Sequence, residues 1–202
     1  MLEQVSALAL PLQAAGRDGA RGGRRIRLSE VRGWHLAHLS VFPGQQDAFQ
    51  NTLRACGGLE PPVELYRGIA SGDARLYRVT DDQYWWLATT HAAMRRFAIE
   101  LPSSVGTFTS LSASRVRIRI TGAAARDVLC RGIAIDLHPA VFLQGHSAQT
   151  GLHHCGIFLE RVADDGYEIF VPRSYAVSIW EWLIDAALPF GYDVGVGQTV
   201  RT

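Results

Sequence analysis

An α+β fold of duplicated β-α-β-β-α halves packed as one domain is predicted by three features of the chain. Val79-Thr80-Asp81-Asp82-Gln83-Tyr84 and Val162-Ala163-Asp164-Asp165-Gly166-Tyr167 share a V-x-D-D-x-Y pattern at an offset of 83 residues (162 minus 79). The same offset carries His91, at the start of one amphipathic run, onto Ser174, at the start of another. Strand-like and helix-like periods also recur in the same order, and each half is too small to hide its apolar faces alone. The reading divides the chain into an arm over 1–30, a domain over 31–188 with halves 31–104 and 105–188, and a tail over 189–202.

The elements follow in order. Residues 1–30 show no sustained period, and Arg17, Arg21, Arg24, Arg25, Arg27 and, just beyond, Arg32 are interleaved with glycines. Such a segment buries little apolar surface alone, so it reads as a flexible arm, either solvated or ordering against an acidic partner. "WHLAHLSVF" reads as a strand. "PGQQDAFQNTLRACGG" reads as a helix opening near Pro43 and stopping at Gly57-Gly58. "ARLYRVTDDQYWWLATT" gives two strands around a tight turn at Asp81-Asp82, and "HAAMRRFAIEL" a helix closed by Pro102. A linking strand near "TFTSLS" precedes the second round: strand "SRVRIRIT", helix "GAAARDVLCRG", a longer connection, hairpin "LHHCGIFLERVADDGYEIFV" and helix "SYAVSIWEWLIDAAL".

Composition removes several function classes. A chain of 202 residues with 48% hydrophobic content and a formal charge of +1 gives no general reason to expect nucleic acid or an anionic membrane as partner. No apolar run approaches a membrane span, and an acidic residue stands where a signal peptide would be basic, which predicts a cytoplasmic protein. All 20 Lys+Arg residues are arginine. That excludes Schiff-base catalysis and the Walker lysine. Cys56, Cys130 and Cys155 suit reduced thiols better than a disulfide framework.

No local motif supports a catalytic or metal site. If His153-His154-Cys155 lie on an extended strand, the two histidines point to opposite faces and Cys155 joins Ile157 and Leu159 in the core. Zinc-type spacings are missing. Gly145-His146-Ser147 starts like a nucleophile elbow but has Gln149 where that turn needs glycine. Asp136 and His138 read as polar residues ending a loop, with Pro139 opening a short helix.

Two features bear on partner contact. Arg115, Arg117 and Arg119 share one strand face opposite Val116, Ile118 and Ile120, a row that is solvent-exposed by default and would also suit carboxylates of a partner subunit or ligand. In the last helix Trp180 and Trp182 lie on different faces, so one would serve the core and the other a neighbour. The candidate interface residues are Arg24, Arg25, Arg115, Arg117, Arg119, Tyr175 and Trp180.

Residues 105–188 resemble the gamma subunit of heterotetrameric sarcosine oxidase. The resemblance rests on Asp136-Leu137-His138-Pro139, Phe142, Gly145, Thr150, Arg173-Ser174-Tyr175-Ala176, Trp180 and Trp182-Leu183, with Gly122, Ala125, Arg126 and Leu129 in a Gly-x-x-Ala-Arg-x-x-Leu pattern. The first third matches loosely. The resemblance implies a fold like the folate-binding domain of the glycine-cleavage aminomethyltransferase. It further implies a noncatalytic subunit beside alpha, beta and delta chains, alpha being the main contact, in a complex that oxidatively demethylates sarcosine. The products would be glycine, hydrogen peroxide and formaldehyde or 5,10-methylenetetrahydrofolate. FAD, FMN, NAD and zinc would sit on the other subunits, and no cofactor residue carries over to this chain. A stand-alone folate-binding or aminomethyltransferase-like protein, or an adaptor domain, is the rival expectation.

Overall fold

The computed structural model describes residues 6–9 and 25–199. Its elements run β1 (Ile26–Arg32), β2 (His35–Val41), α1 (Gln46–Gly57), β3 (Gly68–Ser71), β4 (Ala74–Arg78), β5 (Gln83–Ala88), α2 (Ala92–Glu100) and β6 (Gly106–Ser110). There follow β7 (Arg115–Thr121), α3 (Ala125–Leu129), β8 (Ser147–Leu152), β9 (Cys155–Ala163), β10 (Gly166–Pro172), α4 (Ala176–Ala187) and β11 (Tyr192–Thr199). The chain divides into two units, one of Met1–Arg32, Ser114–Gln144 and Ala148–Thr199, the other of Gly33–Ala113 with Gly145–Ser147 and Val200–Thr202.

In the second of these units, period-2 patterning gives a sheet of order β3-β4-β5-β2-β6. Helix α1 buries Phe49, Leu53 and Cys56, spaced four and three apart on one face. It ends where Gly58 takes a left-handed φ of 60° and its amide donates to Arg54 O. The helix opens three residues after Pro43, with Asp47 in its first turn and Arg54 in its last, each favourable to the helix dipole. Phe97 of α2 meets Phe49 and Trp86 edge-on, both at 5.6 Å between centroids, and these rings centre the unit's core with Leu39, Leu53, Leu76 and Met94.

The other unit carries a sheet of order β11-β1-β7-β10-β9-β8. One face of β7, Val116, Ile118 and Ile120, packs with Val128 and Leu129 of α3 and with Ile179, Trp180 and Leu183 of α4. Read from the opposite edge, its first five strands are β8-β9-β10-β7-β1. Hairpin β9–β10 thus takes the place that β4–β5 has in the smaller sheet, β7 that of β2, and β1 that of β6. The β1·β7 and β2·β6 pairings are both antiparallel.

Four expectations are corrected. The segment read as the end of a flexible arm is β1, because Ile26 and Leu28 alternate with Arg25 and Arg27 and are buried; the arginines hide the period. The segment read as a tail holds β11, which pairs in parallel with β1. Helix "GAAARDVLCRG" contracts to Ala125–Leu129. Gly122 before it has φ 115°, and a Cβ there would meet Arg25 O at 2.1 Å, so the first position of that pattern accepts glycine alone. Finally, His153 and His154 are a turn between β8 and β9, with His153 at φ 55°, and do not lie on a strand. Arg24 and the rest of 10–24 lie outside the described residues.

Candidate functional site

The arginine row on β7 is occupied by the chain itself. Register sets Arg117 opposite Phe170 and Arg119 opposite Glu168 on the neighbouring β10. Glu168 is wholly buried. Its Oε2 accepts from Arg117 Nε at 2.7 Å, its Oε1 from Arg119 Nε at 2.8 Å, and a second nitrogen of each guanidinium also engages it. The Arg117 guanidinium lies 5.5 Å from the Phe170 ring centroid. Arg117 is 8% exposed, so the expectation that it meets a partner's carboxylate is corrected: a carboxylate of its own sheet takes that place. Arg119 and Arg115 are half-buried, and burial lowers the Arg115 pKa while Cys155 nearby opposes the shift.

Trp180 is likewise withdrawn from the surface. It is 1% exposed in the core, on the helix face set by Ala176, Ile179 and Leu183. Trp182 is the tryptophan that looks outward. Its ring is half-buried and stacks on His153 at 6.0 Å and 18°, and Gly132 lies so close that a Cβ would fall 2.6 Å from it. The His153 amide donates to Gly132 O at 2.9 Å, which fixes the turn. His154 packs edge-on to His153 at 4.4 Å and to Tyr175 at 6.0 Å. Tyr175 (45% exposed) belongs to this exposed group of rings at the start of α4, where Val177 (39%) is an exposed aliphatic side chain. Of the predicted contact residues, Arg25 and Tyr175 stand exposed.

The patch is built mainly of packed aromatic and imidazole rings. Ser178 Oγ and His154 Nε2 lie 3.4 Å apart, too long for a firm hydrogen bond. Among the described residues no three His, Cys, Asp or Glu side chains are grouped to hold a metal. Burial raises the pKa of Cys155 and of Cys130; burial and the Glu100 carboxylate push Cys56 to about 11, so all three favour the neutral thiol. The other motifs make local hydrogen bonds. Ser147 Oγ donates to Tyr66 O at 2.8 Å. Asp136 Oδ1 accepts from the His138 amide and His138 Nδ1 from the Ala140 amide, capping a turn where the sequence suggested a short helix at Pro139.

Sequence reasoning missed an arginine that precedes each V-x-D-D-x-Y turn. Arg161, 4% exposed, donates to the carbonyls of Phe142 (2.8 Å), Asp164 (3.0 Å), Ala163 (3.3 Å) and Pro139 (3.4 Å), tying the 136–144 loop to the hairpin. Arg78, 83 residues earlier (161 minus 78), repeats the device with Val63 O (2.5 Å), Asp81 O (3.4 Å) and Asp81 Oδ1 (3.2 Å). The signal was available: extending the repeat one residue leftward makes it R-V-x-D-D-x-Y.

Comparisons with known proteins agree with this architecture. The family model for the GCVT N-terminal domain matches residues 65–200. The sarcosine oxidase subunit gamma of Corynebacterium sp. (strain U-96) is 27% identical over 169 residues, covering 84% of this chain and 82% of that one. The solved heterotetrameric sarcosine oxidase from Corynebacterium sp. U-96, in complex with pyrrole 2-carboxylate, contains a chain that superposes with TM-score 0.82 at 25% identity, covering 92% of this chain and 95% of that one. The aminomethyltransferase T of the glycine cleavage system from Bartonella henselae shares the fold at TM-score 0.58 and 14% identity, and the match spans 48% of its length. The α+β class and the expected likeness to both proteins therefore hold. The chain belongs to the GCVT N-terminal domain family.

Proposed function

We propose that this chain is the gamma subunit of a heterotetrameric sarcosine oxidase, a noncatalytic component that contributes surface to the larger subunits. The observation that carries the reading is the end-to-end match, at TM-score 0.82 and more than nine-tenths of both chains, to a chain of that complex. The side-chain chemistry supports it: the conspicuous polar groups, Arg117 with Glu168 and the two loop-holding arginines, are engaged in holding the fold. The complex would oxidise the N-methyl group of sarcosine, giving glycine, hydrogen peroxide and formaldehyde or 5,10-methylenetetrahydrofolate.

FAD, FMN, NAD and zinc belong in this reading to the other subunits, and alpha is the main contact beside beta and delta. Arg25, Tyr175 and the histidine turn are the contact residues the geometry favours. Among the described residues no helix is long and apolar enough to cross a membrane, which suits a cytoplasmic enzyme complex. Affinity purification of the chain from its native host, with an absorption spectrum of what is retained, tests the reading. A yellow complex with three further chains is expected. A colourless, solitary protein would overturn it and favour a folate-binding or adaptor role.

A further inference from the structure

Strand β3 is an edge of its sheet. Its inner side pairs with β4, Gly68 opposite Tyr77 and Ser71 opposite Ala74. On its outer side Gly145–Ser147 already supplies a short stretch of added strand. The Gly68 amide donates to Gly145 O at 3.2 Å, the Ser147 amide donates to Tyr66 O at 2.7 Å, and Arg67 bridges to His146. That added pairing stops at Gly68. Backbone groups alternate sides along a strand, so an outward Gly68 amide places the N–H and C=O of Ala70 outward too. Ala70 is exposed.

The surroundings are built for a partner of one chemistry. Val63 (86% exposed), Leu65 (48%), Tyr66 (38%) and Ile69 (38%) are large apolar residues on or just before this edge. Their loop is fixed in advance: Arg78 donates to Val63 O, and Tyr66, at φ 58°, donates its amide to Arg78 O at 2.7 Å. Gly68-Ile69-Ala70-Ser71 contains neither charge nor proline, devices that usually blunt an exposed edge; short length and the partial cover by Gly145–Ser147 are the devices it has. The nearby charges are matched within the chain, Arg54 with Glu60, Arg67 with Glu64 and Arg78 with Asp81, and Arg75, opposite Ala70 in the register, is engaged as well. The edge therefore complements an uncharged strand, since a charged one would find no free counter-charge from these pairs.

We propose that β3 takes an extended, uncharged apolar segment of another subunit as an added strand, hydrogen-bonded to Ala70 and packed on Leu65 and Ile69. This mode of recognition draws affinity from the main chain and specificity from alternate side chains. The inference rests on the reading of the chain as a subunit of a hetero-oligomer.

Amide hydrogen exchange on the purified complex and on the isolated subunit tests it, together with Ala70→Pro in the full chain. Proline is tolerated at an edge where the N–H faces outward, so the β3·β4 pairing survives. The Ala70 amide is expected to slow by about 100-fold or more on assembly. Ala70→Pro is expected to weaken assembly by about tenfold or more, while Ala70→Ser assembles normally. An Ala70 amide that exchanges equally fast in both states overturns the proposal, with or without a folded proline variant. Protection that grows with the concentration of the isolated subunit assigns the edge to a second copy and also overturns it. Recovery of no partner chain at all defeats the subunit reading itself, and this inference with it.

Discussion

Glu168→Ala removes the carboxylate that two arginines share, and its effect can be worked from the geometry. Glu168 is fully buried and receives both forks, from Arg117, whose side chain is 9% exposed, and from Arg119, at 32%. After truncation the Arg119 guanidinium can turn toward water, but Arg117 is left as a buried cation beside the Phe170 ring. Removing one partner of a buried pair costs about 3–5 kcal/mol. With a single guanidinium stranded, the lower part of that range applies, about 3–4 kcal/mol. At about 2–4 °C per kcal/mol for a chain of this size, the melting temperature should fall by about 6–16 °C. Urea and thermal unfolding of the isolated subunit at pH 7, followed by circular dichroism, measure it. Arg117→Met with Glu168→Leu replaces the pair by apolar groups of similar volume and should stay within about 1.5 kcal/mol of the parent. A single-change loss below about 1 kcal/mol, or a double change as harmful as the single, would refute the argument. One consequence concerns interface mapping: replacing Arg115, Arg117 and Arg119 together by Ser would strip Glu168 of its partners, so a failure to assemble would report an unstable subunit and would not locate a contact.

Three further outcomes are expected. Arg161→Met leaves several carbonyls of the 136–144 loop without a donor and should cost about 2–4 kcal/mol, while Arg78→Met, at a side chain 23% exposed, should cost clearly less; equal losses in urea titrations would contradict the burial difference. Burial, reinforced by His91 at 4.7 Å between ring centroids, holds the His35 pKa below its ordinary 6.5. The unfolded chain then takes up the proton first. The stability this imidazole contributes is present above pH 6.5, declines as pH falls below it, and is gone once the depressed folded pKa is passed. His35→Gln should flatten the urea midpoint between about pH 7 and pH 5, and an unaltered pH profile would count against the pair. Thiol titration with a disulfide reagent at pH 8 should find Cys130 reacting first, with Cys155 and Cys56 protected until unfolding; a Cys56 thiol at about 11 is ionised in only about one molecule per thousand at that pH.

The parts of the fold that were legible in the sequence are those where local chemistry and burial agree. The helix over Gln46–Gly57 is bounded by a glycine that adopts the left-handed conformation, and each Asp-Asp turn, a strong local turn signal, joins the two strands expected on either side of it. Strand β1 was obscured because its buried Ile26 and Leu28 alternate with arginines whose number suggests a solvated arm. The turn at His153 could not be read, since a two-residue turn with positive φ is signalled by Asn or Gly and here carries histidine. Trp180 was assigned outward against information the sequence did hold: Ala176, Ile179, Trp180 and Leu183 share one helical face, which leaves Trp182 to look out. The arginine row misled for a different reason. Strands β9 and β10 are buried on both faces, so polar residues on the second face have their partners inside the protein, and alternation cannot distinguish that from solvent.

The recurrence of one device at two places bears on why function was harder to read than fold. Arg78 and Arg161 stand at the same offset as the turns they precede, and both fasten a loop by donating to its main-chain carbonyls. Carbonyl partners carry no sequence signature, so such an arginine looks like a free charge in the chain and like an obligatory tie in the structure. The loops so held expose apolar side chains, Val63 and Leu65 in one case, Val141 (57%) and Leu143 (43%) in the other. A loop that is tied down from beneath and apolar on top loses little freedom when it is covered, and this lowers the entropy that binding must overcome. At these two places an arginine beneath the loop holds still a surface of exposed Val and Leu.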